Sequence, residues 1–562
     1  MAQLLRQAKY GISGLSHVLG YGNSTTVRPL LLSQPVPLKR ALAAGASIVH
    51  SEYSMARHTR VKMLKKSVSG KQERLWRDSG LYAPIAFASH KDNEKIALEA
   101  RVLQEQLPAP DLPVCIKWVT ANMKDILPRV HRVKPVPWEE YLRRVGSSPS
   151  VKKRLSEARA RLIAEGITSE STLTKEQIHQ FTKRSSFVKV ENLSYHSPLG
   201  LKLKAPRLIQ GVASLEFLVL VGPSIMALQD LVCRRWRPGK SNLVFTSGIS
   251  AEAAAEHVAS ISGQSGFDDI ASFDLDQTRP WGLAFVQWCR KWGFGEAALA
   301  LMLANVDTHG TTHHGWKYKC KGTRKSGDPY TSLFNTMINI FTHLWIYCTE
   351  TGKSVQEASE SFVMVAQGDD NAFTHASLVA PIPWRQRMRR LGFDSEATYV
   401  QTMEEMEFCS MRMYRTREGW VFGPKPGRVM SRFGYAINRP PNVTPEGYAR
   451  GVAMGMVKQS HFIPILRAFF SDVLARTSHV KDSEVYIGRV FDGHQLKVRR
   501  KHTEDIGPMY NLNTNYYWCY ESQRRFENHL RDNGIGSEWP AWIQQQVFDR
   551  DTDGLKLTYA GA

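Results

Sequence analysis

The chain has 562 residues, 42% of them hydrophobic, with 14 Trp, so it can bury a large core and is not a disordered polyelectrolyte. Its formal net charge of +22 points to a polyanionic partner, nucleic acid first and an anionic membrane second. The seven cysteines are scattered without a Cys-x-x-Cys pair, which argues against a disulfide framework and fits a reduced setting.

The length fits three or four domains of ~150 residues, or one large multi-subdomain enzyme. The first 51 residues hold no Asp or Glu, a superficial likeness to a transit peptide. Pro35 and Pro37 break any long amphipathic helix there, so a basic arm is expected. Residues 1–84 read as basic and irregular, with eight Lys/Arg between Arg57 and Arg77, among them Lys65, Lys66 and Lys71. Apolar spacing predicts a helix over Asp92–Gln106, capped by Asp92 and ended by prolines at 108, 110 and 113. A second helical stretch, Trp138–Glu165, is interrupted at Gly146–Pro149. Phe187–Val190 alternates like a strand. Leu215–Cys233 reads as a helix broken at Gly222-Pro223. Its apolar part, Phe217–Leu228, is shorter than the ~18 residues a membrane span needs, so a core helix is expected and no transmembrane segment.

Farther on, Ile270, Phe273 and Leu275 mark a short strand end. Leu283–Ala304 reads as helix with a break at Gly293–Gly295. Thr331–Cys348 is a long apolar helix. Phe362–Ala366 and Ala372–Thr374 form a hairpin around Gly368-Asp-Asp, and Phe408–Met413 pairs with Trp420–Phe422. Beyond about residue 440 the chain reads as helical up to the aromatic cluster Tyr516, Tyr517, Trp518 and Tyr520, either a stacking platform or ordinary core.

Three segments carry chemistry. Asp269-Ile-Ala-Ser-Phe-Asp274 spaces two carboxylates five residues apart. Ser326-Gly327 runs into a helix bearing Thr331 and Asn335, four residues apart and so on one face. Gly368-Asp369-Asp370 puts two acids at a tight turn. In this order they supply paired carboxylates for two divalent metals and polar groups that can test a ribose, as phosphoryl transfer to a nucleic-acid 3′-hydroxyl requires. His309, His313, His314 and Cys320 have spacing that could bind zinc, but no second Cys or His pair completes the set.

The three segments together resemble the RNA-directed RNA polymerases of positive-strand RNA viruses, in flavour the tombusvirus-like and nodavirus-like groups. The likeness spans roughly residues 185–430. It implies an α+β right hand whose palm is a ferredoxin-like antiparallel sheet flanked by helices. On that pattern 1–84 is a basic extension, and 85–262 with 281–325 are fingers. The palm is 263–280 and 326–407, with a primer-grip hairpin at 408–430 and thumb and C-terminal region at 431–562. Asp269, Asp369 and the weaker partner Asp370 are the implied catalytic metal ligands. They would hold two Mg2+ ions, with Mn2+ as a substitute. Asp268 and Asp276 are nearby acids that a shifted register could use.

By the same resemblance Asp274 and Asn335, with Ser326, Gly327 and Thr331, read the nucleotide and its ribose. Lys189 and Arg207 grip the triphosphate, and Lys204 lies close by in sequence. Phe408, Cys409 and Ser410 are the primer grip, and Gly423–Arg428 echoes the two virus groups. The family usually places a Lys after the acidic turn as proton donor. None occurs between 371 and 424, leaving Arg389, Arg390, His375 or water. Implied partners are template and nascent RNA, ribonucleoside triphosphates, and other viral replication proteins or host membranes. The implied location is the host cytoplasm at viral replication complexes. Two rivals are a reverse transcriptase and a non-catalytic RNA-binding scaffold with a polymerase fold. The Thr331/Asn335 helix argues against the first, and intact Asp269, Asp369 and Asn335 against the second.

Overall fold

The computed structural model describes residues 53–55, 72–75, 84, 86–128, 130, 132–192, 205–486, 496–502, 506–534 and 539–551. The basic arm 1–51, Lys65, Lys66, Lys71 and Lys204 lie outside the described residues. Within 1–84, expected to be irregular, Tyr53–Met55 and Gln72–Arg74 are strands. The first pairs with Trp316–Lys321 and the second with Tyr435–Ile437.

The central sheet is built from β1 (Leu243–Phe245), β2 (Gln264–Asp268), β3 (Phe362–Gln367), β4 (Asp370–His375) and β5 (Thr398–Tyr399). Two helices belong to it: α1 (Thr331–Thr351), between β2 and β3, and α2 (Trp384–Arg390), between β4 and β5. The strand order is β5-β2-β4-β3-β1. The first four strands pair antiparallel, in the order a ferredoxin-like unit requires. β1 adds a fifth strand parallel to β3, so the sheet is mixed rather than purely antiparallel.

β3 is buried along Phe362–Ala366, and its apolar run lacks polar alternation because both faces are covered. Alternate side chains feed two cores, since successive residues point to opposite faces. Phe362, Met364 and Ala366 join Leu333, Met337, Ile340 and Leu344 of α1. Val365 joins Val244, Ala254, Val258 and the strands Met411–Thr416 and Gly419–Pro424. α1 is buried at every position from Leu333 to Cys348, which suits a helix apolar nearly all round. Gly352, in the left-handed region at φ 70, ends it.

A second five-stranded sheet stands beside the first. Its order is Tyr53–Met55, Trp316–Lys321, Asp307–Thr312, Arg184–Val188, Leu208–Val212. A buried ion pair, Arg184 to Asp328 at 2.6 Å, ties this sheet to the loop leading into α1. Asn305 donates to the same carboxylate at 2.7 Å, so the pair is partly compensated for lost water.

Several sequence expectations are corrected. The first helix runs Lys91–Arg101, capped by His90, and stops five residues early. Glu216–Arg235 is one continuous helix despite Pro223. The Tyr141 hydroxyl donates to the Leu218 carbonyl at 3.3 Å beside the proline, and burial of Leu220, Val221, Ile225 and Leu228 outweighs the missing backbone bond. That helix, at 20 residues and mean hydropathy 1.6, is long and apolar enough to cross a membrane by length and composition. Here it packs inside the larger core, with Phe217, Leu228 and Val232 fully covered. Phe408–Met413 is not one strand: Cys409 and Ser410, at φ 50 and 62, form a turn between Glu407–Phe408 and Met411–Thr416.

In the last third of the chain, Tyr516 and Trp518 are fully buried, while Tyr517 and Tyr520 are exposed. The Tyr516 hydroxyl donates to Asp551 at 2.8 Å, and the Gly427 N–H donates to the other oxygen of that carboxylate at 2.7 Å. The segment 539–551 is thereby fastened onto the helix Pro426–Phe433.

Candidate active site

The acidic turn is a two-residue hairpin connection: Gln367 pairs with Asp370, leaving Gly368 and Asp369 between β3 and β4. Gly368 has φ 68, a conformation that costs glycine nothing and any other residue strain. α1 holds this turn from behind. Thr336 Oγ1 accepts from the Gly368 N–H at 2.8 Å. Asn339 Nδ2 donates to the carbonyls of Gly368 and Asp369 at 3.1 and 2.8 Å. Asn371 Nδ2 donates to Asn339 Oδ1 at 3.0 Å and closes the loop of bonds.

Strand register brings the first acid to the turn. Asn371 lies opposite Asp268, so Asp269, the next residue, reaches the level of Asp370. Asp269, Asp369 and Asp370 are all exposed. Surrounding protein and then the neighbouring charges of Asp369 and Asp269 push the Asp370 carboxyl up to about 7, with Arg428 and Lys425 opposing. Asp268 faces the other way, buried, accepting 2.7 Å bonds from Ser395 Oγ with both oxygens. His343 Nε2 stands 3.4 Å from it. Asp276 is buried too, and that burial raises its carboxyl to about 7. The geometry thus favours Asp269 over its acidic neighbours as the residue that meets the turn.

Asp274 is half-buried, and Asn335 Nδ2 donates to its Oδ1 at 2.7 Å. Burial pushes Asp274 up to about 6; the Asn335 bond opposes this, Asp369 adds to it, and Arg324 and Arg207 oppose it. Thr331, Asn335, Asn339 and His343 recur every fourth residue and line one face of α1. Each holds a different part of the site. Thr331 donates to the Lys325 carbonyl at 2.6 Å. His343 Nδ1 contacts the Asn339 carbonyl at 2.8 Å, and its other nitrogen faces Asp268.

The Ser326-Gly327 loop is tied to the second sheet. Ser326 Oγ donates to the Leu208 carbonyl at 2.9 Å. A Cβ on Gly327 would come within 2.6 Å of the Gln210 carbonyl oxygen, so only glycine fits without movement. Lys325 is buried under the loop and donates to the Val306 and Thr323 carbonyls at 3.1 and 3.0 Å; burial lowers it to about 8.

Lys189 and Arg207 meet where the two strands of the second sheet separate: the Lys189 N–H donates to the Arg207 carbonyl at 2.8 Å. Both side chains pair with Glu191, at 2.8 and 3.4 Å. Arg207 is more than half exposed and lies within the field of Asp274. Arg101, at the end of the first helix, had no motif to flag it. Its guanidinium donates to the Ala205 carbonyl at 3.3 Å and shares the field of Arg207, Asp274 and Asp369. Burial is the main cause lowering its pKa.

The turn at Phe408, Cys409 and Ser410 also comes to the acids. Burial first, then Asp370 and Asp369, raise the Cys409 thiol well above its ordinary value. The residues weighed as proton donors are engaged elsewhere. Arg390 binds Asp111 at 2.6 Å, and Arg389 pairs with Asp394 at 3.6 Å. His375 is buried at the far end of β4, bonded to the Tyr399 hydroxyl at 2.9 Å.

The residues with zinc-like spacing each have their own partner. His309 stacks on His179 at 4.2 Å, His313 on Phe187 at 5.1 Å, and His314 contacts Glu94 at 2.9 Å. Cys320 lies 3.6 Å from the Thr323 hydroxyl. Among the described residues no three His, Cys, Asp or Glu side chains converge closely enough to cage a metal by themselves. The three exposed acids at the turn offer a donor set of hard oxygens whose mutual repulsion a divalent cation would relieve, so their chemistry fits one.

Residues 295–507 match the family model described as viral RNA dependent RNA polymerase. The enzyme is an RNA-directed RNA polymerase. The match takes in α1, the acidic turn and the 411–424 hairpin, and begins after Asp269 and Asp274. The family implies divalent metal use, an RNA template and nucleoside triphosphates. A search of curated proteins found no match.

Proposed function

We propose that this polymerase copies viral RNA by two-metal nucleotidyl transfer, in replication and transcription of a positive-strand genome. The observation that carries the reading is the register of β2 against β4, which brings Asp269 level with Asp370, a carboxylate that feels both Asp369 and Asp269. Asp269 and Asp369 are the principal metal ligands and Asp370 the weaker one. Two Mg2+ ions, or Mn2+ in their place, would supply activation of the primer 3′-hydroxyl and charge stabilisation on the departing pyrophosphate. Arg207, Lys189 and Arg101 hold the triphosphate, because Arg207 and Arg101 bring positive charge to the field of Asp274 and Lys189 pairs with the same Glu191 as Arg207. Asp274 and Asn335 read the ribose, while Ser326, Gly327 and Thr331 support the nucleotide from below.

In this reading the central sheet is the palm, with 85–262 and 281–325 as fingers, 408–430 as primer grip and 431–562 as thumb and C-terminal region. Gly423-Pro-Lys-Pro-Gly-Arg428 favours the tombusvirus-like and nodavirus-like groups. The host cytoplasm, at viral replication complexes with other viral proteins or host membranes, is the proposed place of work.

The test is incorporation of labelled nucleotide on an RNA template with Mg2+. Wild type should be active, and Asp269→Asn and Asp369→Asn inactive with RNA binding kept. Activity in either variant would overturn the assignment of that acid.

A further inference from the structure

We infer that Gln277, oriented by Arg324, is a positioning residue that sets the polarity of the sugar-reading pair Asn335–Asp274; this rests on the ribose-reading role proposed above. Four side chains form one chain of hydrogen bonds. Arg324 Nε donates to Gln277 Oε1 at 2.7 Å. Gln277 Nε2 donates to Asn335 Oδ1 at 2.8 Å. Asn335 Nδ2 donates to Asp274 Oδ1 at 2.7 Å.

The direction of this chain is forced by its first member. An amide can present either end to a neighbour, and only the surrounding bonds decide which. A guanidinium has donors and no acceptor, so Gln277 must turn its oxygen to Arg324. Its NH2 must then face Asn335, which answers with its own oxygen and presents NH2 to Asp274. One oxygen of the Asp274 carboxylate is thereby engaged, and the other is left to accept from a sugar hydroxyl. With Asn335 reversed, two oxygens would face each other and the carboxylate would turn or take up a proton.

Arg324 is well fixed for this task. Its guanidinium lies 5.7, 5.4 and 5.3 Å from the rings of Phe285, Tyr330 and Phe334, and its backbone N–H donates to the Asp274 carbonyl at 2.7 Å. Gln277, Arg324 and Asn335 are all buried, so water cannot supply the missing bonds if one partner is reversed.

The experiment uses the full chain on a primed RNA template, measuring kcat/KM for a ribonucleotide and its 2′-deoxy analogue. Gln277→Glu keeps the contact with Arg324 but replaces the NH2 facing Asn335 with an oxygen. The ribose preference should fall by about tenfold or more, toward the value in Asn335→Ala. Adding Gln277→Glu to Asn335→Ala should change the preference no further, because Gln277 acts only through Asn335. Gln277→Met, which keeps volume and removes both dipoles, should give an intermediate loss, and it serves if the Glu variant fails to fold. If Asn335→Ala lowers the preference and the Gln277 variants do not, this inference is overturned. Equal losses for both sugars in the Gln277 variants overturn it as well, since they would mark a merely structural role. If Asn335→Ala itself leaves the preference unchanged, the ribose-reading role falls instead.

Discussion

Asn335 and Asn339, one turn apart on α1, divide the candidate site between them: the first donates to the Asp274 carboxylate at 2.7 Å and the second to the Asp369 carbonyl at 2.8 Å. A single buried helix face therefore holds both Asp274 and the acidic turn. Thr336, on the neighbouring face, takes the Gly368 N–H.

Asn339→Leu should release the turn without emptying the core. Its bonds to the carbonyls of Gly368, Asp369 and Asp370 and its bond from Asn371 would be lost, and buried unpaired groups cost about 1–3 kcal/mol each. The expected result is a kcat reduced by roughly tenfold or more with nucleotide KM little changed, read by steady-state incorporation. A higher KM at normal kcat would contradict the placement.

Asp369→Asn should abolish synthesis while RNA affinity stays near wild type. Removing one metal-ligating charge commonly costs several kcal/mol of transition-state stabilisation. Filter binding beside incorporation separates the two effects.

The raised Asp370 carboxyl fixes the sign of a pH effect. Its folded value, about 7, exceeds the ordinary 3.8, so the folded state holds this proton longer than the unfolded state. In metal-free buffer that contribution to stability is present at low pH and is lost as pH rises toward 7. Metal binding competes with the same proton. The Mn2+-induced rise in Tm should therefore be larger near pH 8 than near pH 6. Asp370→Asn should flatten both trends in a thermal melt, and a steeper slope in the variant would count against the shift.

Arg207→Ala should raise nucleotide KM more than it weakens template binding, since Arg207 stands in the field of Asp274. Arg101→Ala should act in the same direction if it shares the triphosphate. Nucleotide titrations at saturating template decide this, and an unchanged KM in both would remove the cationic wall from the site.

Leu344→Ala, at a fully buried position where α1 meets β3, should cost about 2–5 kcal/mol of stability. Denaturant melts provide the check; a loss under about 1 kcal/mol would mean this packing is looser than described.

The parts of the site readable in the sequence are those whose partners lie close along the chain. Asp269 and Asp274, Thr331 and Asn335, and Gly368 through Asp370 each lie within five residues along the chain. Gln277, Arg324, Asn339 and Arg101 were missed because their partners are set by strand register and helix packing across long separations. One signal was available for Asn339 and His343: polar residues inside an otherwise apolar helix. Pro223 misled for the opposite reason, as local propensity yielded to the burial of Val221, Gly222, Ser224 and Ile225 around it. The sheet order was readable as an implied ferredoxin-like unit. The parallel edge strand Leu243–Phe245 was not, because three apolar residues carry no period.

The Asp551 carboxylate accepts from Gly427 and from Tyr516, next to the strand pair that borders the acidic turn. During synthesis on a ribosome, Gly427 must wait for more than a hundred further residues before that acceptor exists. At ~5–20 residues per second the wait is on the order of ten seconds. Through that interval the helix Pro426–Phe433 has an N–H with no carboxylate to meet it, and the catalytic half of the chain is already made. A polymerase assembled this way completes this contact only after Asp551 has left the ribosome, and a ribosome that stops short of it releases a chain whose acids are present but whose Gly427 N–H lacks that carboxylate.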